Sequence, residues 1–175
     1  QPFLSTIFTI SSHHPYTIPS HHGDRFETGK APMYDATLYS DYTLRLFFEK
    51  AKQQDWYDNT LFVITADHSP PSENRRYNNR YGMYQIPIAF YHPNENVLKG
   101  QSDVVAQQTD IAPTILSLLT YEYKFFAFGS SLFRKGKRFA ITYINEIYGL
   151  IKDDFIFLYS KEDEPIQLSN YKEDQ

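Results

Sequence analysis

The most constraining stretch of the sequence is a short apolar run that stops abruptly at two potential ligands. Leu61, Phe62, Val63 and Ile64 are apolar and partly β-branched, the composition of a parallel strand covered on both faces. Thr65, Ala66, Asp67 and His68 follow without a break. In open α/β sheets, chemistry gathers in the crevice beyond the carboxyl ends of strands, so an acidic oxygen and an imidazole nitrogen there suit a metal ion. Two ligands alone are a weak signal, and a turn carrying a solvated imidazole accounts for the same residues.

The remainder of the chain fits an α/β order. Residues 3–10 are rich in β-branched and aromatic side chains and predict another strand, ended by Ser11, Ser12, His13, His14 and Pro15. A histidine pair before proline is also what a surface turn looks like. Residues 16–32 carry Pro, Gly, Ser and His with little periodicity and predict a loop, in which His21, His22 and Asp24 are expected to be solvated rather than ligating. From Tyr34 the pattern turns helical. Leu44, Phe47, Phe48 and Ala51 share one face, Glu49, Lys50 and Lys52 point away, and the helix should end near Gln54. Asp41, inside that helix, predicts a structural hydrogen bond. Asp58 and Asn59 turn into the central strand, completing a βαβ order with a right-handed crossover.

Residues 69–80 are polar and irregular, the composition of an active-site loop. Arg75, Arg76 and Arg80 can clamp an anion there or stay solvated. Residues 85–91 predict another core strand, with Pro87 early in it. Asp110 and Pro113 open a helix as N-cap and first-turn proline, burying Ile111, Ile115, Leu118 and Leu119. Beyond Phe139 the chain alternates in strand fashion, with turn signals at Tyr148 and Gly149 and again at Lys152, Asp153 and Asp154.

Composition excludes several classes. The chain of 175 residues suffices for one domain with a real core, and 41% hydrophobic against 22% charged residues is globular composition. A net charge of −4 gives no electrostatic reason to bind nucleic acid. With no cysteine, disulfide staples, zinc knuckles and a thiol nucleophile are all ruled out. No apolar run approaches the length of a membrane span. The start at Gln1 and Pro2, followed at once by a strand-like segment, predicts a piece of a longer protein.

Residues 60–68, Thr-Leu-Phe-Val-Ile-Thr-Ala-Asp-His, resemble the metal-binding segment of the alkaline phosphatase/sulfatase superfamily. Residues 8–16, the helix from Tyr34 to Trp56, residues 108–119 and residues 126–133 agree with it in order, and the set is most similar to the lipoteichoic-acid-synthase-like branch of sulfatase-domain proteins. The resemblance implies a mostly parallel central sheet flanked by helices, with a small antiparallel C-terminal sheet. Residues 1–134 would then be the C-terminal part of the α/β core and residues 135–175 a small antiparallel subdomain of the same domain. It implies a metal-dependent phospho- or sulfo-ester enzyme, either hydrolase or phosphoglycerol-type transferase, working through a covalent intermediate. Asp67 and His68 would be ligands of one divalent ion, Mn²⁺ or Mg²⁺, and His13 would contact the phosphate or sulfate group. His14, Arg75 and Arg76 would be further substrate-binding residues.

Gln107, Gln108, Thr109 and Asp110 stand where many relatives carry another histidine, which favours a single-metal site. In the similar branch the nucleophile is a threonine and a further ligand a glutamate, both from a preceding part of the domain. Neither is assignable in this chain, and without cysteine no formylglycine can form. The resemblance therefore predicts a piece inactive by itself, completed by the rest of its catalytic domain upstream of residue 1. The parent would be a bacterial, extracytoplasmic enzyme anchored in the cytoplasmic membrane, acting on a small anionic ester or lipid headgroup. The alternative is a non-catalytic module that binds glycans or lipid headgroups on a degenerate sulfatase fold.

Overall fold

The longest regular element is the helix α1 (Pro32–Ala51), seen in a computed structural model that describes residues 1–69, 72–75, 77–79, 81–162 and 164–171. Pro32 stands in its first turn, where the missing N–H costs nothing. Asp35 lies in the same turn, favourable for a carboxylate, and accepts hydrogen bonds from the Thr28 amide (2.9 Å) and hydroxyl (2.6 Å). The helix stops at Ala51, three residues before the expected end, and the Gln54 amide closes a tighter turn on the Ala51 carbonyl. Ala36 and Ala51 are buried. Leu44 and Phe47, expected inside, are more than a third exposed, and Asp41 is exposed instead of bonded inward.

The chain forms two units, one of Gln1–Phe62 with Tyr91–Val97, the other of Val63–Phe90 with Leu98–Gln175. In the first, rings do the packing. Phe62 lies 5.0 Å from Phe48, 5.6 Å from Tyr57 and 5.9 Å from Tyr91, within the range where offset aromatic pairs attract. The Tyr57 and Tyr91 hydroxyls hydrogen-bond at 2.8 Å; that bond, with burial second, pushes the Tyr57 phenol up to about 12. A second ring group corrects the expectation of a solvated histidine loop. The 3-10 turn Ser20–Phe26 sets His22 against Tyr39 (5.1 Å), Phe26 (5.7 Å) and Tyr42 (5.9 Å), and the Arg25 guanidinium stacks 4.1 Å over Tyr42.

Residues 3–10 form no strand. Their composition favours extended backbone, but no ladder joins them to another segment among the described residues; the Ile10 carbonyl accepts the His13 amide at 2.9 Å, in the turn that follows. Leu4 is 90% and Phe8 74% exposed. Strand β1 (Phe62–Thr65) pairs with β2 (Ile88–Tyr91) in a two-stranded sheet, and its apolar residues are half-buried instead of covered on both faces. The described residues thus show an α/β chain without the larger, mostly parallel central sheet that was expected.

In the second unit, the helix α2 (Ile111–Leu118) precedes four strands, β3 (Phe139–Ile144), β4 (Ile147–Lys152), β5 (Phe155–Ser160) and β6 (Glu164–Asn170). They run as an antiparallel meander in sequence order, the small sheet the alternation predicts. The first hairpin turns at Asn145 and Glu146, both at positive φ (48° and 63°), so Tyr148 and Gly149 lie inside β4 and not in a turn. Gly149 has a packing reason: a Cβ there would stand 2.5 Å from the Thr142 hydroxyl on the neighbouring strand.

Asp110 precedes α2 as expected, yet its carboxylate does not cap that helix. It accepts the Gln107 amide (3.1 Å) and the Ser130 amide (2.8 Å) and pairs with the Arg138 guanidinium at 3.0 Å, both side chains buried. Three more of the Arg138 hydrogens go to the carbonyls of Val105, Ser131 and Ser130. Gly129 admits the loop, since a Cβ would overlap the Thr109 carbonyl. Leu119 is 61% exposed, because the chain leaves the helix there; Pro113 and Thr114 take the buried positions.

Two outcomes follow from this packing. Asp110→Ala strands a buried guanidinium and two amides, and urea unfolding should register a loss of about 3 kcal/mol or more. His22 is held below its ordinary 6.5, chiefly by burial and then by the charges of His21 and Arg25. The unfolded chain therefore takes up its proton first, so the stabilisation is complete above that pH and is lost as the pH falls through and below it. Melting temperatures measured between pH 8 and 5 should decline on the acid side, and less so in His22→Phe; parallel curves would contradict the assignment.

Candidate functional site

Directly after β1 the chain makes a turn, residues 66–69, held from three directions within the second unit. The Thr65 hydroxyl donates to the Pro87 carbonyl (3.0 Å) and the Ser69 hydroxyl to the Met83 carbonyl. The Gln108 side-chain amide donates to the carbonyls of both Ala66 (3.1 Å) and Asp67 (2.8 Å). Three supports arriving from segments 14 to 42 residues distant fix a turn that has no regular structure of its own.

The two side chains at its tip are oriented as well. One carboxylate oxygen of Asp67, Oδ1, accepts the His68 amide at 2.9 Å, and Oδ2 accepts no hydrogen bond from the described residues. His68 Nδ1 meets the Ser69 carbonyl at 3.1 Å. A carbonyl only accepts, so Nδ1 carries the hydrogen and the Nε2 lone pair faces outward. Nε2 and Oδ2 stand 3.6 Å apart, each side chain 60% exposed. Donors about 2.1 Å from one ion lie about 3.0–3.6 Å apart at coordination angles of about 90–120°, so the pair fits two positions of a single shell. An imidazole whose second nitrogen is tied to a backbone carbonyl is the usual state of a metal-ligating histidine. Among the described residues no group of three or more His, Asp or Glu side chains could hold an ion, so the pair is half a shell at most.

His13 and His14 belong to the first unit and are exposed. His13 Nδ1 donates to the His14 carbonyl at 2.8 Å, and the His14 ring meets Tyr16 edge-on at 5.8 Å. Arg75, in the second unit, is exposed, and its carbonyl accepts the Asn79 side-chain amide. Arg76 and Arg80 fall outside the described residues. A cavity of about 280 Å³ lies in the second unit, lined by Met83, Tyr84, Thr142, Ile144, Asn145, Ile147, Gly149 and Leu158. Gln108 and Ser69 carry no sign of their supporting roles in the sequence: a lone polar side chain gives no period, and its partner lies far along the chain.

The sulfatase family model matches residues 1–121. Lipoteichoic acid synthases of Staphylococcus aureus strains USA300 and NCTC 8325 are 29% identical over 162 residues, covering 82% of this chain. The chain spans 25% of their length. A crystal structure of an alkaline phosphatase superfamily protein from Vibrio parahaemolyticus superposes with a TM-score of 0.71 at 24% identity, covering 94% of this chain and 44% of that one, a likeness of fold. Among the described residues no helix is long and apolar enough to cross a membrane.

The orientation of His68 can be read directly. Long-range ¹H–¹⁵N spectra of the metal-free protein above pH 8 should show Nδ1 as the protonated ring nitrogen, and an Nε2–H tautomer would contradict the Ser69 contact.

Proposed function

The chain belongs to the sulfatase family, and from that premise we propose that it contributes two metal ligands and an anion contact to a divalent-metal-dependent phospho- or sulfo-ester enzyme. The observation that carries the proposal is the pair at the tip of the 66–69 turn, Asp67 Oδ2 and His68 Nε2, held 3.6 Å apart with lone pairs free. One hard oxygen and one borderline nitrogen suit Mn²⁺ or Mg²⁺. Bound there, such an ion supplies charge neutralisation for the transferred group and activation of a hydroxyl nucleophile.

This chain's own residues then have simple tasks. Asp67 and His68 hold the ion, and their backbone supports keep the donors facing one way. His13, with Nδ1 committed to the His14 carbonyl, can give a hydrogen bond to an ester oxygen only as the imidazolium, which also adds charge complementary to that oxygen. Arg75 and His14, both exposed, would be further anion contacts, as would Arg76, which lies outside the described residues. The nucleophile and the remaining ligands come from outside this chain, which spans 25% of the relatives' length, so the piece alone should be inactive. By resemblance the whole protein is extracytoplasmic and anchored in the cytoplasmic membrane, and its substrate a small anionic ester or a lipid headgroup.

In the full-length protein, Asp67→Ala and His68→Ala should each lower Mn²⁺-dependent turnover of aryl phosphate or aryl sulfate esters by at least about 100-fold, the upper end of what even an outer-shell loss costs. Unchanged turnover would remove both residues from the metal shell. The preferred ester of the two identifies the transferred group, and binding of glycerophosphate without turnover of either would instead indicate a non-catalytic module.

A further inference from the structure

Of the supports of the 66–69 turn, Gln108 is the side chain that bears most directly on the backbone of Asp67. Its amide nitrogen has two hydrogens, and both go to consecutive carbonyls, Ala66 at 3.1 Å and Asp67 at 2.8 Å. Those carbonyls flank the Cα that carries the Asp67 carboxylate. Fixing both peptide planes leaves the Asp67 backbone little freedom, so the side chain starts from one orientation, and the Asp67 Oδ1 contact to the His68 amide completes the lock. Gln108 is itself anchored: it opens the 3-10 turn Gln108–Asp110, whose last residue is clamped to Arg138 and Ser130. A neutral amide suits this task, since it donates twice without placing a charge beside the ion.

We propose that Gln108 is a positioning residue of the metal site, acting through the backbone of Ala66 and Asp67 to hold the Asp67 and His68 donors in a coordinating arrangement. The proposal rests on the reading of Asp67 and His68 as ligands. Both carbonyls lie in an exposed turn, where water can replace the lost bonds, so removing the amide should disturb ligand geometry far more than overall stability. Outer-shell partners of this kind typically govern metal affinity by about 10–100-fold.

The test uses the full-length protein and Mn²⁺ alone, with free ion counted by electron paramagnetic resonance during titration. Gln108→Met, similar in length and without a donor, should weaken Mn²⁺ binding by about 10-fold or more. Gln108→Glu, which sets carboxylate oxygens against two carbonyls, should give at least as large a loss. The metal-free melting temperature of each should stay within about 2 °C of wild type, the shift expected when little net stability is lost. Wild-type Mn²⁺ affinity in Gln108→Met, with affinity lost in Asp67→Ala, would overturn the positioning role and leave the ligand reading intact. Wild-type affinity in Asp67→Ala would overturn both. A metal-free melting temperature that falls in proportion to affinity in both Gln108 variants would assign the residue to the fold alone, overturning the proposal.

Discussion

The buried pair of Asp110 and Arg138 is the contact on which the second unit depends. Taking both charges out of water is costly, and the geometry offsets the cost by spending the hydrogen-bonding groups of both partners: two amides and a guanidinium on the carboxylate, three carbonyls on the guanidinium. Because those groups come from residues 105–110, 130–131 and 138, one ion pair ties the start of α2, the loop before β3 and the entrance to the sheet. Gln107 extends the tie by accepting the Ile141 amide of β3 at 3.1 Å. Gln108 extends it the other way, to the turn after β1. The proposed metal ligands, Asp67 and His68, thus sit at the end of a short chain of hydrogen bonds that begins in a buried charge pair.

The first unit solves a different problem. It has few buried hydrophobic residues, Phe26, Ala36, Ala51 and Tyr57, and little aliphatic bulk inside. Rings that touch edge to face gather area without full enclosure, which gives the 17% aromatic content a structural use. The cost is partial exposure, since Leu38, Leu44 and Phe47 remain at 37–48%. The same economy explains His22, an imidazole packed among rings and near the His21 and Arg25 side chains, and so easier to keep neutral than charged.

What the sequence disclosed follows from the range of the interactions involved. Helix α1 and the second helix carry periodic patterns spread over many residues and are legible to within a few residues; the strand-like alternation beyond Phe139 is legible too, but not its division into four strands. The abrupt end of β1 in Asp67 and His68 is legible as well. Residues 3–10 misled because β-branched and aromatic composition reports only that extended backbone is comfortable; a strand needs a partner, and none pairs with them among the described residues. The turn at Asn145 and Glu146 was passed over in favour of Tyr148 and Gly149, because glycine is the louder turn signal; here it answers to Thr142 across the ladder. The supports of the 66–69 turn are invisible for a related reason, each being one or two hydrogen bonds from a single side chain to a segment far along the chain.

That division has a chemical consequence for the site. A ligand pair that is 60% exposed gains little from a low-dielectric surrounding, so its two donors cannot hold an ion tightly by field strength. What this chain can supply is arrangement: an oxygen and a nitrogen already facing one point, with the competing hydrogen-bonding positions of both side chains satisfied by backbone. Pre-organised donors lose less conformational freedom when an ion arrives, and that saving grows as further ligands complete the shell. The hydrogen bonds from Thr65, Ser69 and Gln108 therefore matter more to coordination than their modest contribution to folding suggests, and the buried pair behind Gln108 is the anchor that lets an exposed turn keep one shape.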